Sequence, residues 1–486
     1  MSFASLGKCL RAAALVAPFL AATDTPTAAQ LETRSVFPTN TGPNSIAVAD
    51  FNRDGKMDIA VASYYDGASP PGIQVFLGKG DGTFGPPVTC DANNGAGPIA
   101  VADLDGDGNP DLVAVNQDGG FVSVLLGNGD GTFQPPVNYT TPPQPTQVAI
   151  GDFNGDGHLD IAVAGQGNFE SIGPAVGVLL GNGDGTFQEP AITTSLPSGP
   201  NAMTSGHFGA GALDLALTLG FASSDTVQIL VGNGDGTFSL GESYELSALN
   251  SQSIIAADFR NDGRADLAVA ELDGMGVAVL LGKGDHEFEE PVTYNIIAAS
   301  AVVAADMNGD GILDLVATDI PGGLQSGNVG ILYGIGNGTF QDAVSYPVGG
   351  FPLAIATADF NGDGKEDVTV AGKDSDQERV LLNTGVVSLS PTSPLEFKGQ
   401  VVGATSPPQT VMLTNTGKTE LKIQSMKAST EFAVTSTCGS RVAPGANCKI
   451  SATFSPTKKG AVQGTITIID DASSKPQVIE LLGTGT

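Results

Sequence analysis

Between residue 30 and about residue 384 the apolar residues of this chain fall into short runs bounded by glycine, proline, asparagine and aspartate. SIAVAD, DIAVA, VSVLL and PPVNY are examples. Their alternation of β-branched or aromatic residues with small or polar ones predicts strands. In chain order one unit reads strand (SIAVAD), acidic loop, strand (DIAVA), variable loop, strand (VSVLL), glycine-rich turn, strand (PPVNY), variable loop. The acidic element begins at Asp50, Asp103, Asp152, His207, Asp258, Asp306 and Asp359, a period near fifty. A fixed period of that length marks a repeat architecture. Four short antiparallel strands in each of seven copies predict an all-β chain folded as a seven-bladed β-propeller.

The two ends of the array complement each other. The seventh copy stops at RVLLNTG, without a glycine turn or a fourth strand, whereas TRSVFPTNTGPNSIAVAD near the start matches VSYPVGGFPLAIATAD of the last copy. Residues near Arg34 to Phe37 are therefore expected to supply the outer strand of blade seven, which would cover an open sheet edge. From residue 386 to 486 the pattern changes to longer alternating runs such as TVMLTNTG, CKISATFSP and GTITIID. About a hundred residues with seven or so strands predict an immunoglobulin-like β-sandwich, here without tryptophan and without the usual cross-sheet cysteines.

The acidic loop carries the chemistry. In VADLDGDGNPDLVAV, Asp103, Asp105, Asp107 and Asp111 crowd between two apolar runs. Counted from the first aspartate, side-chain oxygens fall at positions 1, 3, 5 and 9, a glycine at 6 permits a sharp turn, and the carbonyl of position 7 can turn inward. An all-oxygen cage of six or seven flexible ligands suits Ca²⁺ better than Mg²⁺. Five copies hold the full set: Asp50, Asn52, Asp54, Lys56 (carbonyl) and Asp58; Asp103, Asp105, Asp107, Asn109 (carbonyl) and Asp111; Asp152, Asn154, Asp156, His158 (carbonyl) and Asp160; Asp306, Asn308, Asp310, Ile312 (carbonyl) and Asp314; Asp359, Asn361, Asp363, Lys365 (carbonyl) and Asp367. In blade five Arg260 takes position 3, and its guanidinium is expected to stand in for the ion among Asp258, Asp262 and Asp266. Blade four keeps only Asp214 and is expected to hold no ion. An EF-hand would need a glutamate at position 12, where the first three loops have Val61, Ala114 and Val163.

Charge narrows the range of partners. The 486 residues carry 52 Asp and Glu against 21 Lys and Arg, a net charge of −31. Binding a polyanion needs clustered Lys and Arg, so nucleic acid and anionic membrane surfaces are not expected partners. At the N-terminus, Lys8 and Arg11 precede an apolar run at 12–22 and small residues at 27–29, which together read as a secretion signal over residues 1–29. That run is about half the ~20 residues a spanning helix needs. The expected location is secreted, extracellular or at the cell surface. Cys438 and Cys448, ten apart, are expected to form a local disulfide in such a setting, the alternative being two buried thiols; Cys90 is expected to pack as a small apolar residue.

With those loops in view, the chain resembles the FG-GAP or VCBS-type repeat family, whose calcium loops are similar to those of the integrin α-subunit propeller. The likeness runs over roughly residues 33 to 384. It implies the propeller and calcium but no single activity, since members include adhesion proteins, lectin-like modules and a few hydrolases. The tail, with CGSRVAPGANCKISATFSP and LLGTGT, resembles Ig-like domains related to the abnormal-spindle and hydin proteins.

Chain parity places the acidic loops and the glycine turns on one face and the variable loops on the other. Tyr64, Tyr65, Phe169 and Phe221 lie in variable loops and are the candidate ligand contacts, because binding residues concentrate on loops carried by a rigid scaffold. The GNGDGTF segments read as hairpin turns, with a second ion at Asp130, Asp184 or Asp235 as the alternative. The tyrosines at 139, 244, 294 and 346 share one register and are assigned to the core. Only three histidines occur, His158, His207 and His286, all in loops or turns, so no catalytic residue is assigned. The leading expectation is an interaction or adhesion module for an extracellular protein or carbohydrate; the alternative is a propeller hydrolase or lyase acting on extracellular polysaccharide.

Overall fold

The computed structural model describes residue 29 and residues 31–486 apart from 64–71, 93–96, 169–171, 221–224, 275, 321–326, 374, 384–386, 391–393, 416–419 and 471–476. Seven four-stranded antiparallel sheets succeed one another along the propeller region. In blade one, for example, the strands are Pro43–Ala49, Asp58–Ser63, Gly72–Phe76 and Val88–Cys90, in that spatial order. The first strand of each sheet touches that of the next. Contacts run from Pro43–Ala49 through Ile99–Ala102, Pro145–Gly151, Gly199–Gly206, Ser251–Ala257, Val302–Ala305 and Pro352–Ala358, then back to Pro43–Ala49. The result is a closed seven-bladed β-propeller.

Second strands such as DIAVAS, DLVAVN and DLVATD are buried along their whole length, on both sides of the sheet. Neighbouring blades cover both faces of a blade, and this is why these segments read as continuous apolar runs once past their leading aspartate. Fourth strands such as Val137–Thr140 and Val292–Asn295 lie at the rim and alternate or expose their side chains.

Blade seven takes its outermost strand from the start of the chain. Leu31–Pro38 pairs antiparallel with Gln377–Asn383, with Thr33 opposite Leu381 and Phe37 opposite Glu378. Just before this strand, Ala29 is buried: its N–H donates to Tyr333 Oη at 2.6 Å and its carbonyl accepts from the Tyr346 hydroxyl. The folded unit therefore includes residue 29, one residue earlier than the boundary expected from the leader pattern.

Aromatic pairs join blade to blade. In five blades the second residue of the acidic loop is a phenylalanine that meets the phenylalanine of the next blade's glycine turn. Phe51 lies 5.7 Å from Phe133, Phe153 5.7 Å from Phe238, Phe208 5.4 Å from Phe288 and Phe259 5.4 Å from Phe340, all edge-on. The series closes with Phe360 of blade seven against Phe84 of blade one at 5.8 Å. Outer-strand tyrosines join the same contacts. Tyr139 and Tyr244 pack on Phe187 and Phe288, and their hydroxyl oxygens accept the N–H of those residues at 3.3 and 2.8 Å.

Beyond the propeller, two sheets enclose a separate core that includes Val411, Ile450, Phe454, Ile466 and Leu481. One sheet has four strands and the other five. These nine exceed the seven or so expected because strands as short as Arg441–Val442 carry no periodic signal. Cys438 and Cys448 are disulfide-bonded, and Cys90 is a buried free thiol.

Because Phe360 is 2% exposed and sits at the seam between the last and first blades, Phe360→Ala is expected to cost about 3–5 kcal/mol. Val292→Ala, at a side chain 57% exposed, should leave the stability within about 0.5 kcal/mol. Denaturant titration of the two variants against wild type measures the contrast.

Candidate metal-binding loops

Each acidic loop is built around its closing aspartate, the ninth residue of the motif, which falls one place earlier in the shorter loop of blade four. Asp58, Asp111, Asp160, Asp214, Asp266, Asp314 and Asp367 open the second strand of their blades and are at most 1% exposed. One carboxylate oxygen of each accepts the N–H of the loop's second residue, at distances from 2.7 Å for Leu104 to 3.1 Å for Phe259. The other oxygen accepts an N–H at the end of the third strand: Gly78 and Gly127 at 2.7 Å, Gly181 at 2.8 Å, Gly232 at 2.9 Å, Gly282 at 2.7 Å and Gly334 at 2.9 Å. In blade seven Asn383 donates at 2.7 Å in place of a glycine. Glycine is needed at these points because a Cβ at Gly127 would lie 2.3 Å from the Pro110 carbonyl oxygen.

The rest of the loop folds around its first aspartate. Asp152 Oδ1 accepts Gly155 N at 2.7 Å, and Oδ2 accepts Gly157 N at 2.9 Å; Asp103 holds Gly106 and Gly108 in the same way at 2.8 and 2.9 Å. Fifth-position carboxylates turn toward position 7. Asp107 accepts both the N–H and the side-chain amide of Asn109 at 2.7 Å, Asp54 accepts Lys56 N and Nζ at 3.0 Å, and Asp156 accepts His158 N at 2.9 Å. Asp310 and Asp363 hold Ile312 and Lys365 by their N–H groups at 2.8 and 3.0 Å. Positions 1, 3 and 9 are left facing one another. Ligand oxygens of Asp103, Asp105 and Asp111 all lie within 4.8 Å of each other, the one such trio of acidic, histidine or cysteine side chains among the described residues. Asn52, Asn154, Asn308 and Asn361 fill position 3 in the other four full loops, offering an amide oxygen instead.

Electrostatics at these loops is set by burial and by crowded carboxylates. Burial pushes Asp58 and Asp111 up to about 6 and Asp314 and Asp367 up to about 7, and neighbouring carboxylates of the same loop add to the rise, from positions 1 and 5 for Asp58, Asp314 and Asp367 and from positions 3 and 5 for Asp111. Backbone N–H donors pull these values down only in part. Asp105 is raised by burial and by Asp107 and Asp103. Donors that are all oxygen and mutually repelling meet the requirements of a hard divalent cation.

In the other two loops a side chain of the protein reaches the buried aspartate. In blade five the Arg260 guanidinium lies 2.6 Å from Asp266 Oδ1 and 3.5 Å from Asp262 Oδ2, while Asp258 is held by backbone donors such as Gly263 N at 2.7 Å. Arg260 thus reaches two of the three carboxylates expected of it. In blade four the incoming group is His286 of the next blade, whose Nδ1 is 3.1 Å from Asp214 Oδ2. Its ring fills the space over Gly209, where a Cβ would lie 2.4 Å from Cε1. His286 has φ +64, at the turn position taken by Gly131, Gly185 and Gly236 in other blades. Sequence reading assigned His286 to a plain loop. The signal that could have found it is a pair of departures: histidine where five other turns have glycine, beside the one loop with glycine at position 3.

Tyr64, Tyr65, Phe169 and Phe221 lie outside the described residues, as do residues 1–28 of the expected secretion signal. Sequence reading also missed an acid with no place in the loops. Glu378, 0% exposed, accepts from the Thr369 hydroxyl on one oxygen, and its Oε2 has no partner. Burial pushes its carboxyl up to about 8.

Family comparison finds the FG-GAP-like repeat at residues 58–114, 103–163, 208–269, 258–317 and 318–370, together more than half of the chain. Residues 384–478 match the abnormal spindle-like microcephaly-associated, ASPM-SPD-2-Hydin domain. No curated protein matches the chain in sequence. Among solved structures, a functionally unknown protein from Desulfotomaculum acetoxidans DSM 771 is similar at 12% identity, covering 67% of this chain and 88% of that one with a TM-score of 0.43. The ASH/PapD-like domain 7 of human CEP192 is similar at 16% identity over 21% of this chain and 85% of its own, with a TM-score of 0.17.

Two outcomes follow from this geometry. Gly209→Ala should cost about 1–3 kcal/mol by driving a methyl group into the imidazole, and nearly nothing in a His286→Gly background; a double-mutant cycle of unfolding free energies reads the coupling. For Glu378, a carboxyl ordinarily near ~4.3 and raised to about 8 in the fold makes the folded state hold the extra proton. Its contribution is therefore intact below the ordinary value and lost as pH rises toward 8. Glu378→Gln should gain stability relative to wild type between pH 5 and 8.5, measured by denaturant midpoints in saturating calcium.

Proposed function

We propose that this chain, which belongs to the FG-GAP-like repeat family and ends in an ASH-type Ig-like domain, is a secreted, calcium-stabilised interaction module. It binds an extracellular protein or carbohydrate through the propeller face opposite the acidic loops. The observation that carries the calcium half is the contrast among the seven loops. Five keep a full set of oxygen ligands, whereas the two that lack it receive Arg260 or His286 at the buried aspartate.

In blade two the ion would be held by Asp103, Asp105, Asp107 and Asp111 with the Asn109 carbonyl, and by the equivalent residues of blades one, three, six and seven. When bound, it supplies positive charge that lets these carboxylates stay ionised together. The ninth aspartates can bind it while keeping their backbone donors, because each carboxylate oxygen has more than one lone pair.

Support for the binding half comes from the division of the molecule. The acidic-loop face is occupied by regular structure: Gly82, Gly131 and Gly236 of the glycine turns donate to the carbonyls of Phe360, Phe51 and Phe153 in the preceding blades. Loops of variable length and composition fall on the other face. The His286–Asp214 pair, in which an imidazole nitrogen meets a carboxylate, belongs to the regular face and closes a loop, so it lends no weight to a hydrolase. Among the described residues no helix is long and apolar enough to cross a membrane.

Removing calcium is expected to lower the melting temperature, since an ion bound only by the folded loops stabilises by about 2.7 kcal/mol per site at a hundredfold excess over Kd. Asp105→Ala, which removes the position-3 oxygen and spares the backbone anchor of Asp111, should shrink the calcium-dependent part of that shift. Scanning calorimetry in calcium and in EGTA, with bound metal assayed, checks both; an unchanged melting temperature after verified metal loss refutes the calcium reading.

A further inference from the structure

On the face opposite the acidic loops the propeller axis opens into a funnel of about 360 Å³, to which all seven blades contribute. Its wall is made by the entry ends of the first strands and the exit ends of second strands. Six carboxamides line it: Asn44, Gln117, Gln147, Gln166, Asn201 and Gln252. Among the described residues neither Lys nor Arg lines it, and its single carboxylate is Asp118. This is an unusual lining for a chain of net charge −31, in which acids outnumber amides at the other end of the same strands.

Several of these amides are held in place. Gln147 Nε2 donates to the Asn201 carbonyl at 3.1 Å, and Gln166 Nε2 donates to the Pro200 carbonyl at 3.1 Å. Their Oε1 atoms are thereby presented as acceptors without a further loss of side-chain freedom on binding. Ser300, at the base, is spent on the Pro352 carbonyl and the Thr318 hydroxyl, each at 2.9 Å, and stitches blade six to blade seven. Asn44 differs from the rest: its Oδ1 is shut off from water and accepts no hydrogen bond. A buried acceptor left without a donor is costly, and rotation of the Asn44 amide into the funnel would bring that oxygen to a ligand hydroxyl.

We propose that this funnel binds a neutral saccharide of one or two sugar rings. The inference rests on the reading that this face is the recognition face. A ring of carboxamides offers donors and acceptors together, as sugar hydroxyls do. Leu272 and Leu353 supply apolar wall for the C–H surface of a sugar ring. The lack of a cation disfavours uronates, sulfated sugars and phosphates. The volume lies at the small end of the range of about 300–1,000 Å³ typical of small-molecule sites. Among the described residues no aromatic platform lines the funnel, and such a site binds a sugar with an expected affinity in the millimolar range.

Saturation-transfer NMR on the calcium-loaded chain tests this with glucose, galactose, mannose, N-acetylglucosamine and their disaccharides, and galacturonate as the anionic probe. Saturable transfer to at least one neutral sugar and none to galacturonate is expected. Asn44→Ala and Gln147→Ala should each weaken it at least tenfold. Gln252→Trp, at an exposed position, should block the mouth without disturbing the core. Transfer to no neutral sugar, preference for galacturonate, or binding that survives all three variants overturns the proposal. Binding lost through Tyr64→Ala or Phe169→Ala while Asn44→Ala retains it would overturn the funnel and leave the face reading standing. Loss through Thr132→Ala in the glycine turns alone would overturn both.

Discussion

The fold depends on one buried carboxylate repeated seven times. The ninth aspartate of each loop sits at the start of the most deeply buried strand and draws two backbone N–H groups to itself, one from its own loop and one from the end of the third strand. Those donors would otherwise be orphaned at a strand end, where no ladder partner is available. With the aspartate in place, the loop is tied to the sheet. The second residue of the loop is thereby aimed at the next blade, and the aromatic pairs form. Blade four, which has lost every other acidic position of the motif, still keeps Asp214 and both bonds.

A carboxylate used this way carries charge into a desolvated place. Its rise to about 6 or 7 in four of the blades measures that cost. The partner of this carboxylate differs among the blades. The Arg260 guanidinium acts from within its own loop, the His286 imidazole reaches across from the neighbouring blade, and the other five loops present the full set of oxygen donors on which the calcium proposal rests. These substitutions are not interchangeable in space. The imidazole needs the empty volume over Gly209, and it accepts a left-handed backbone conformation to reach Asp214. Regularity at this face therefore reflects an electrostatic requirement rather than recognition. It leaves the opposite face, with its amide-lined axis and uneven loops, free to vary.

Ring closure follows the same economy of contacts. Leu31–Pro38 completes blade seven, and Phe37 reaches on into blade one, 4.5 Å from Phe76 and 5.4 Å from Phe84. The seam between the last and first blades is thus made of the same aromatic contacts as the other joints, with one more ring added. Tyr333 and Tyr346 grip Ala29 at the start of that strand, so the covalent break in the circle lies between well-anchored ends.

What the amino-acid sequence determined by itself was local and repeated. A period near fifty, strand alternation and the spacing of oxygens at positions 1, 3, 5 and 9 were sufficient for an all-β repeat fold and for five equivalent acidic loops, since each depends on residues a few positions apart. The change of pattern after residue 386 likewise announced a different β-domain. Tertiary structure decided what joins distant residues. Asp214 and His286 lie 72 positions apart and belong to different repeats. Thr33 meets Leu381 only because the ring closes, and Ala29 is core only because two tyrosines more than three hundred residues away close over it. The amides of the axial funnel are unremarkable one by one, being single polar residues at strand ends. Only seven strands converging on one axis make them a single surface, because spacing along a chain records neighbours within a repeat and not the symmetry that brings repeats together.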